Sequence, residues 1–232
     1  MSEEVKFTIR CANKEDRKDI VEFLLTDFLY NEALNASCGL TREEAEEFFG
    51  QLTDIGLEGE ESCLIKNNEN KIIGVRMACI MCRDDVTEED PCIGKETLVE
   101  DGKIKVITKS SYTNIEHIKS LLSHVDSKLW SSLPERVNKI MNIIILSVSQ
   151  DYTRRGYGGM LISFENDKLK SKNVDGILAE CSAIKSQNLF AKHGYTCEYS
   201  ICHKDFVDEN NHQIFIAKDK TDSVKIMFKE LI

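Results

Sequence analysis

The stretch Ile143-Ile144-Ile145-Leu146-Ser147-Val148-Ser149-Gln150-Asp151-Tyr152-Thr153-Arg154-Arg155-Gly156-Tyr157-Gly158-Gly159 decides the fold of this chain. Its first six residues are apolar and rich in β-branched side chains, the composition of a strand. Residues 160–170 are amphipathic and read as a helix. Between them lies a glycine turn. Glycine lets the main chain turn tightly and gathers several backbone N–H groups at one point. The helix that follows adds unpaired N–H groups and the positive end of its dipole. Strand, glycine turn and helix together form an anion site suited to a phosphate or diphosphate. A Walker loop would end in Gly-Lys-Ser/Thr, whereas Gly159 is followed by Met160-Leu161. A Rossmann fingerprint belongs on the first strand of its unit, and here other elements precede it.

Working outward, Phe7-Thr8-Ile9-Arg10 reads as a strand. Asn13 or Lys14 opens a helix with Ile20, Phe23, Leu24 and Phe28 at helical spacing, and the chain breaks around 35–39. Thr41-x-x-Glu44 is a capping box that starts a second helix. Residues 62–65 and 72–82 form a hairpin across Asn67-Asn68-Glu69-Asn70. Residues 84–109 are charged and read as a surface excursion. Residues 115–129 form a helix, 177–181 a strand, and 185–193 a short helix stopped by Gly194. Residues 195–206 and 213–217 read as strands, and 224–231 as a further strand or short helix.

The run from Val148 to Leu161 resembles the acetyl-coenzyme A signature of the GNAT superfamily of N-acetyltransferases, Arg/Gln-x-x-Gly-x-Gly/Ala between a strand and a helix. On this sequence the two glycines are Gly156 and Gly158, and Thr153 stands where the family has Arg or Gln. The order of elements matches the same architecture. The resemblance therefore implies an α/β (α+β) acyl-CoA N-acyltransferase fold, a mixed central sheet flanked by helices, formed as a single domain over residues 1–232. It also implies acetyl-CoA as co-substrate. Its diphosphate would lie on Thr153, Arg154, Arg155, Gly156, Tyr157, Gly158 and Gly159. Its pantetheine arm would lie along Leu146, Ser147 and Val148, with Asn188 a further contact.

Acyl transfer to an amine needs a base for the ammonium proton, a donor for the oxyanion and an acid for the leaving thiolate. Asp27-Phe28-Leu29-Tyr30-Asn31-Glu32-Ala33-Leu34-Asn35 resembles the invertebrate-type arylalkylamine N-acetyltransferases, which carry Asp/Glu-Pro-Leu after an aromatic helix. The resemblance assigns the base to Glu32, with Ala33 in place of the proline. Cys181-Ser182-Ala183-Ile184-Lys185-Ser186 resembles the paired serines of that group. Ser186 is then the proton donor and Ser182 its helper or a substrate contact, although serines before a helix also serve as caps. The wider superfamily has a tyrosine four residues before Gly194-Tyr195, where this chain has Phe190, which cannot give up a proton. No histidine lies between His124 and His193, which separates the chain from the vertebrate-type enzymes.

The chain has 232 residues, 41% of them hydrophobic, and a formal net charge of −10. That charge argues against binding nucleic acid or anionic membranes. No apolar run approaches the ~20 residues of a membrane-spanning helix. The polar opening Met1-Ser2-Glu3-Glu4-Val5-Lys6 lacks the apolar region of a signal peptide, so a cytoplasmic protein is expected. Of nine cysteines, only Cys79-x-x-Cys82 is closely paired, with no second pair at zinc spacing, so no metal is expected. The expectation is an acetyltransferase that acts on small primary amines in a ternary complex, arylalkylamines first and polyamines second. Two alternatives are a protein or peptide N-acetyltransferase and a non-catalytic acyl-CoA binder.

Overall fold

The computed structural model describes residues 7–85, 97–100, 102–106 and 113–231. Its strands are Phe7–Cys11 (β1), Cys63–Asn67 (β2), Ile72–Cys82 (β3), Thr97–Glu100 (β4), Lys103–Val106 (β5), Lys139–Val148 (β6), Gly176–Cys181 (β7), Thr196–Cys202 (β8), Phe206–Val207 (β9) and Ser223–Glu230 (β10). Seven of them form one sheet in the order β1-β2-β3-β6-β7-β10-β8. Only β6 and β7 run parallel; every other neighbouring pair in this sheet is antiparallel. The sheet is thus mixed, as the resemblance implied. The strands β4, β5 and β9 make a separate small sheet.

The helices are Arg17–Phe23 (α1), Leu29–Asn31 (α2), Ala33–Cys38 (α3), Arg42–Gly56 (α4), Asn114–Asp126 (α5), Leu129–Ser132 (α6), Tyr157–Ser163 (α7), Asp167–Ser171 (α8) and Ile184–Lys192 (α9). Local chemistry starts several of them. Thr41 accepts the N–H of Glu44 at 3.3 Å, and the Glu44 carboxylate accepts the N–H of Thr41 at 3.0 Å, the capping box that opens α4. One face of the sheet packs on α1, α4 and α5, where Leu24, Phe49, Leu121, Ile140 and Leu178 are buried together. On the other face α7 and α9 cover Ile143, Ala179, Ile65 and Ile73. Removing this apolar surface from water is the main stabilising term. Among the described residues no helix is long and apolar enough to cross a membrane.

Several sequence expectations need correction. The helix expected over 160–170 is two helices, and Glu165 between them has φ 55°. The cause is Arg76 of β3, which is buried at 3% exposure. Its guanidinium donates to the carbonyls of Leu161 (2.8 Å), Phe164 (3.1 Å) and Glu61 (2.7 Å). Carbonyls of α7, of the turn after it and of the residues before β2 satisfy that buried charge. Residues 213–217 do not form a strand. A single bridge joins Val207 and Gln213, while Phe215 is driven inward to stack on Phe206 at 5.6 Å. The stretch 84–109 is more than a surface excursion, since Ile104 and Val106 of β5 are buried in the main core; its residues 86–96, 101 and 107–109 lie outside the described residues. The helical region ends at Gly39, whose φ of 66° closes α3 within the expected break at 35–39, but it is also broken earlier, at the extended backbone of Glu32.

Candidate active site

The parallel pair opens where the sequence expectation put the pantetheine arm. Strand β6 pairs with β7 only from Ile140 to Ile143, against Gly176 to Ala179. Beyond that point β6 stays with β3 as far as Val148, opposite Gly74, and β7 stays with β10 as far as Cys181. Ile144 is left without a partner on β3, a bulge that bends β6. Ser149 donates its N–H to the carbonyl of Ile73 at 2.9 Å, toward β3. Backbone groups alternate from side to side along a strand, so those of Leu146 and Val148 face the opening. Ser147 is buried, and Leu146 and Val148 are half-buried. An extended chain with its own amides would fit that unpaired edge.

The glycine turn follows directly. The hydroxyl of Thr153 donates to the carbonyl of Gln150 at 3.0 Å. Arg155 lies over the Tyr152 ring at 5.1 Å and donates to the carbonyl of Asp151 at 3.1 Å. Arg154 and Gly156 take left-handed φ values of 61° and 85°. The first bond of α7 runs from Met160 N–H to Gly156 O, so the amides of residues 157–159 lie at the open end of the helix. The Tyr157 ring is buried, edge-on to Phe7 at 5.0 Å. Gly158 and Gly159 serve helix packing as well. An added Cβ would lie 2.8 Å from Leu189 at the first and 2.8 Å from His193 at the second. Asn188 is exposed on α9, the helix that α7 approaches there.

Glu32 stands at the end of β7 that borders the opening. It is buried at 9% exposure, in extended backbone between α2 and α3. Its Oε2 accepts the N–H of Asn35 at 2.8 Å, and its Oε1 accepts the hydroxyl of Ser182 at 2.8 Å. Glu32 therefore caps the N-terminus of α3, where a carboxylate is favoured, rather than lying at a helix end that repels it. The bend forms with Ala33 in place of proline. Burial raises the pKa of Glu32, and the N–H groups of Asn35 and Leu34 and the Ser182 hydroxyl counteract that in part.

The two serines do not act alike. Ser182 reaches Glu32, whereas Ser186, in the first turn of α9, donates to the carbonyl of Ala183 at 2.7 Å. Thr221, which the sequence reading passed over, caps α9 by accepting the N–H of Ile184 at 2.8 Å. Two further carboxyls also escaped it. Asp27 accepts the N–H of Gln150 at 3.1 Å. Glu180 of β7, two residues before Ser182, is hydrogen-bonded to Asp126. Its pKa is well above the usual carboxylate range because of burial and then the neighbouring Asp126 charge. A strand-borne Glu before a serine pair was the available signal for it.

The thiols nearest this region are poor nucleophiles. Burial pushes the thiol of Cys181 up to about 12 and that of Cys38 up to about 11. Among the described residues no group of three or more His, Cys, Asp or Glu could hold a metal ion.

No family model matches the chain, and no curated protein matches it. Solved structures do. Arylalkylamine N-acetyltransferase 2 from Aedes aegypti is 22% identical, with a TM-score of 0.82 over 98% of this chain and 100% of that one. An agmatine N-acetyltransferase in its apo form is 15% identical, with a TM-score of 0.78 over 97% and 99%. The Drosophila melanogaster polyamine N-acetyltransferase that forms N-acetylagmatine is 16% identical, with a TM-score of 0.77 over 97% and 100%. At such identities the likeness is one of fold: this chain has the fold of the GNAT N-acetyltransferases.

Proposed function

We propose that this chain is a cytoplasmic N-acetyltransferase, one catalytic domain over residues 1–232, that moves an acetyl group from acetyl-CoA to a small primary amine. Arylalkylamines are the first acceptor class and polyamines the second. The observation that carries the reading is the buried Glu32 carboxylate, hydrogen-bonded to Ser182 beside the opening between β6 and β7. The named acceptors of similarly folded enzymes, arylalkylamines, polyamines and agmatine, support the same choice.

Acetyl-CoA, when bound, supplies the acetyl group as an activated thioester. The backbone edge of Leu146, Ser147 and Val148 holds the pantetheine arm by sheet-like hydrogen bonds. The turn from Thr153 to Gly159, with Arg154 and Arg155, holds the diphosphate, and Asn188 borders the arm from α9. The N–H of Val148 polarises the thioester carbonyl. Glu32 takes the proton of the incoming ammonium. A carboxylate whose pKa is raised by burial is a better base near neutral pH than an ordinary one. Ser182 orients Glu32. Once its hydroxyl swings from Ala183 O, Ser186 gives its proton to the leaving thiolate and regains one from water, to which Glu32 releases the proton it took. Direct transfer is favoured over an acetyl-cysteine route because the thiols of Cys181 and Cys38 stay protonated near neutral pH.

Thiol release from acetyl-CoA, followed with tyramine, spermidine and a panel of peptides, tests this reading. Turnover of either amine with inert peptides is the expected result. Turnover of peptides alone would assign the chain to protein acetylation. Coenzyme A binding with no release for any acceptor would leave a non-catalytic binder.

A further inference from the structure

Asp27 joins the two halves of the proposed site. It lies in the wide π-helical turn Leu24–Phe28 that connects α1 to α2, one turn before Glu32. Such turns insert an extra residue into a helix and displace the side chains that follow. Thr26 lies beside it and returns its hydroxyl to the carbonyl of Glu22 at 2.8 Å. This local exchange of partners is of the kind that bends helices. The displaced Asp27 carboxylate reaches across the molecule. Its Oδ2 accepts the N–H of Gln150 at 3.1 Å, and its Oδ1 accepts the side-chain amide of Asn31 at 3.3 Å. The same Asn31 amide donates to the carbonyl of Asp27 at 2.9 Å, and Asn31 is the neighbour of Glu32 in sequence.

Gln150 begins the short turn Gln150–Tyr152 that leads into Thr153–Gly159. Its N–H is the first donor of that turn, and Asp27 fills the place of an N-cap from another part of the chain. Hydrogen bonds therefore link Gln150, at the approach to the glycine turn, to Asp27 and to Asn31, the residue that precedes Glu32 in the chain. A carboxylate accepting a backbone N–H is a charge-assisted bond, stronger than a neutral one.

We infer that Asp27 is a positioning residue that sets Glu32 in register with the coenzyme turn, so that occupancy of the turn orders the segment carrying Glu32. This inference rests on the function proposed above. Two substitutions break the bond from opposite ends. Asp27→Ala removes the acceptor. Gln150→Pro removes the donor, and proline suits the first position of a helical turn when the residue before it is extended, as Ser149 is with ψ 139°.

Hydrogen exchange with and without coenzyme A reads the effect without any need to know the amine. In the wild type, coenzyme A should slow exchange both over 153–162 and over 27–38. In either variant the first effect should remain while the second falls by about fivefold, the lower range of coupling between sites. The double variant should be no worse than each single one, since all three lack the same bond. Asp27→Asn keeps an acceptor oxygen and should restore most of the protection, which separates positioning from a general loss of fold. Protection of 27–38 that persists in both variants overturns the inference. So does a wild type in which coenzyme A protects 153–162 alone. If the wild type does not bind coenzyme A at all, the proposed function falls first and takes the inference with it.

Discussion

Ser182 Oγ lies 2.8 Å from Glu32 Oε1, although 150 residues separate the two in sequence. The bond ties the end of β7 to the bend between α2 and α3, and it favours the ionised form of the carboxyl over the neutral one. Glu32→Gln keeps the shape and loses the base. We expect the acetylation rate to fall about 100-fold, within the usual range for a general base. The acid limb of the kcat/KM profile should vanish with it. A profile of unchanged shape would remove Glu32 from the chemistry.

Ser182 and Ser186 can be told apart by the same profile. The Ser182 hydroxyl holds the Glu32 pKa down against burial. Ser182→Ala should therefore raise that pKa further and move the acid limb to higher pH. The accompanying loss is about tenfold in kcat/KM, the worth of one hydrogen bond to a charged group. Ser186 spends its hydroxyl on Ala183 O, so Ser186→Ala should leave the limb in place and lower kcat alone. Steady-state kinetics of both variants between pH 5 and pH 9 makes the comparison.

Glu180 offers a test on stability. Its folded pKa is raised, so the folded protein holds the proton more tightly than the unfolded chain. The contribution is fully present below the unfolded carboxyl value of about 4.3 and is lost as pH rises through the folded one. Near neutral pH and above, the pair with Asp126 is a burden. Glu180→Gln retains a donor for Asp126 without the charge. Its Tm should match that of the wild type near pH 4 and exceed it by on the order of 5 °C at pH 8, as followed by circular dichroism.

The sheet and most helices were legible because each is written locally. Val75, Met77 and Ile140 alternate with less buried neighbours or lie in apolar runs, and Thr41 with Glu44 spells a helix start. What could not be read depends on partners far away in sequence. The helix over 160–170 is periodic throughout, and only the Arg76 guanidinium, more than eighty residues earlier, breaks it. Residues 213–217 carry a strand's composition, yet the Phe215 ring finds Phe206 before its backbone finds a ladder. In the proposed site, resemblance singles out Glu32, while its burial and its cap on Asn35 could not be read from the sequence. Asp27 begins the very segment that singled out Glu32, but its partner Gln150 is a backbone N–H, which no side-chain pattern announces.

The three glycines of the turn look equivalent in sequence and are not equivalent in physics. Gly156 has open space around its missing Cβ but a φ of 85°, so any side chain there is strained by its own backbone. Gly158 and Gly159 are helical and face Leu189 and His193 at 2.8 Å, so a side chain there meets a neighbour that can move. Gly156→Ala should cost about 1–2 kcal/mol, and it should tilt the amides that follow. Coenzyme A affinity should then drop roughly tenfold. Gly156→Asn should recover part of both, because asparagine tolerates that conformation. Gly158→Ala and Gly159→Ala should each cost about 1 kcal/mol or less while leaving affinity within about threefold, since α9 can yield without turning the amides. Denaturant unfolding of the four variants measures the first quantity and titration calorimetry with coenzyme A the second. Equal losses of affinity at all three positions would mean that close helix packing, rather than the left-handed turn, shapes the anion site.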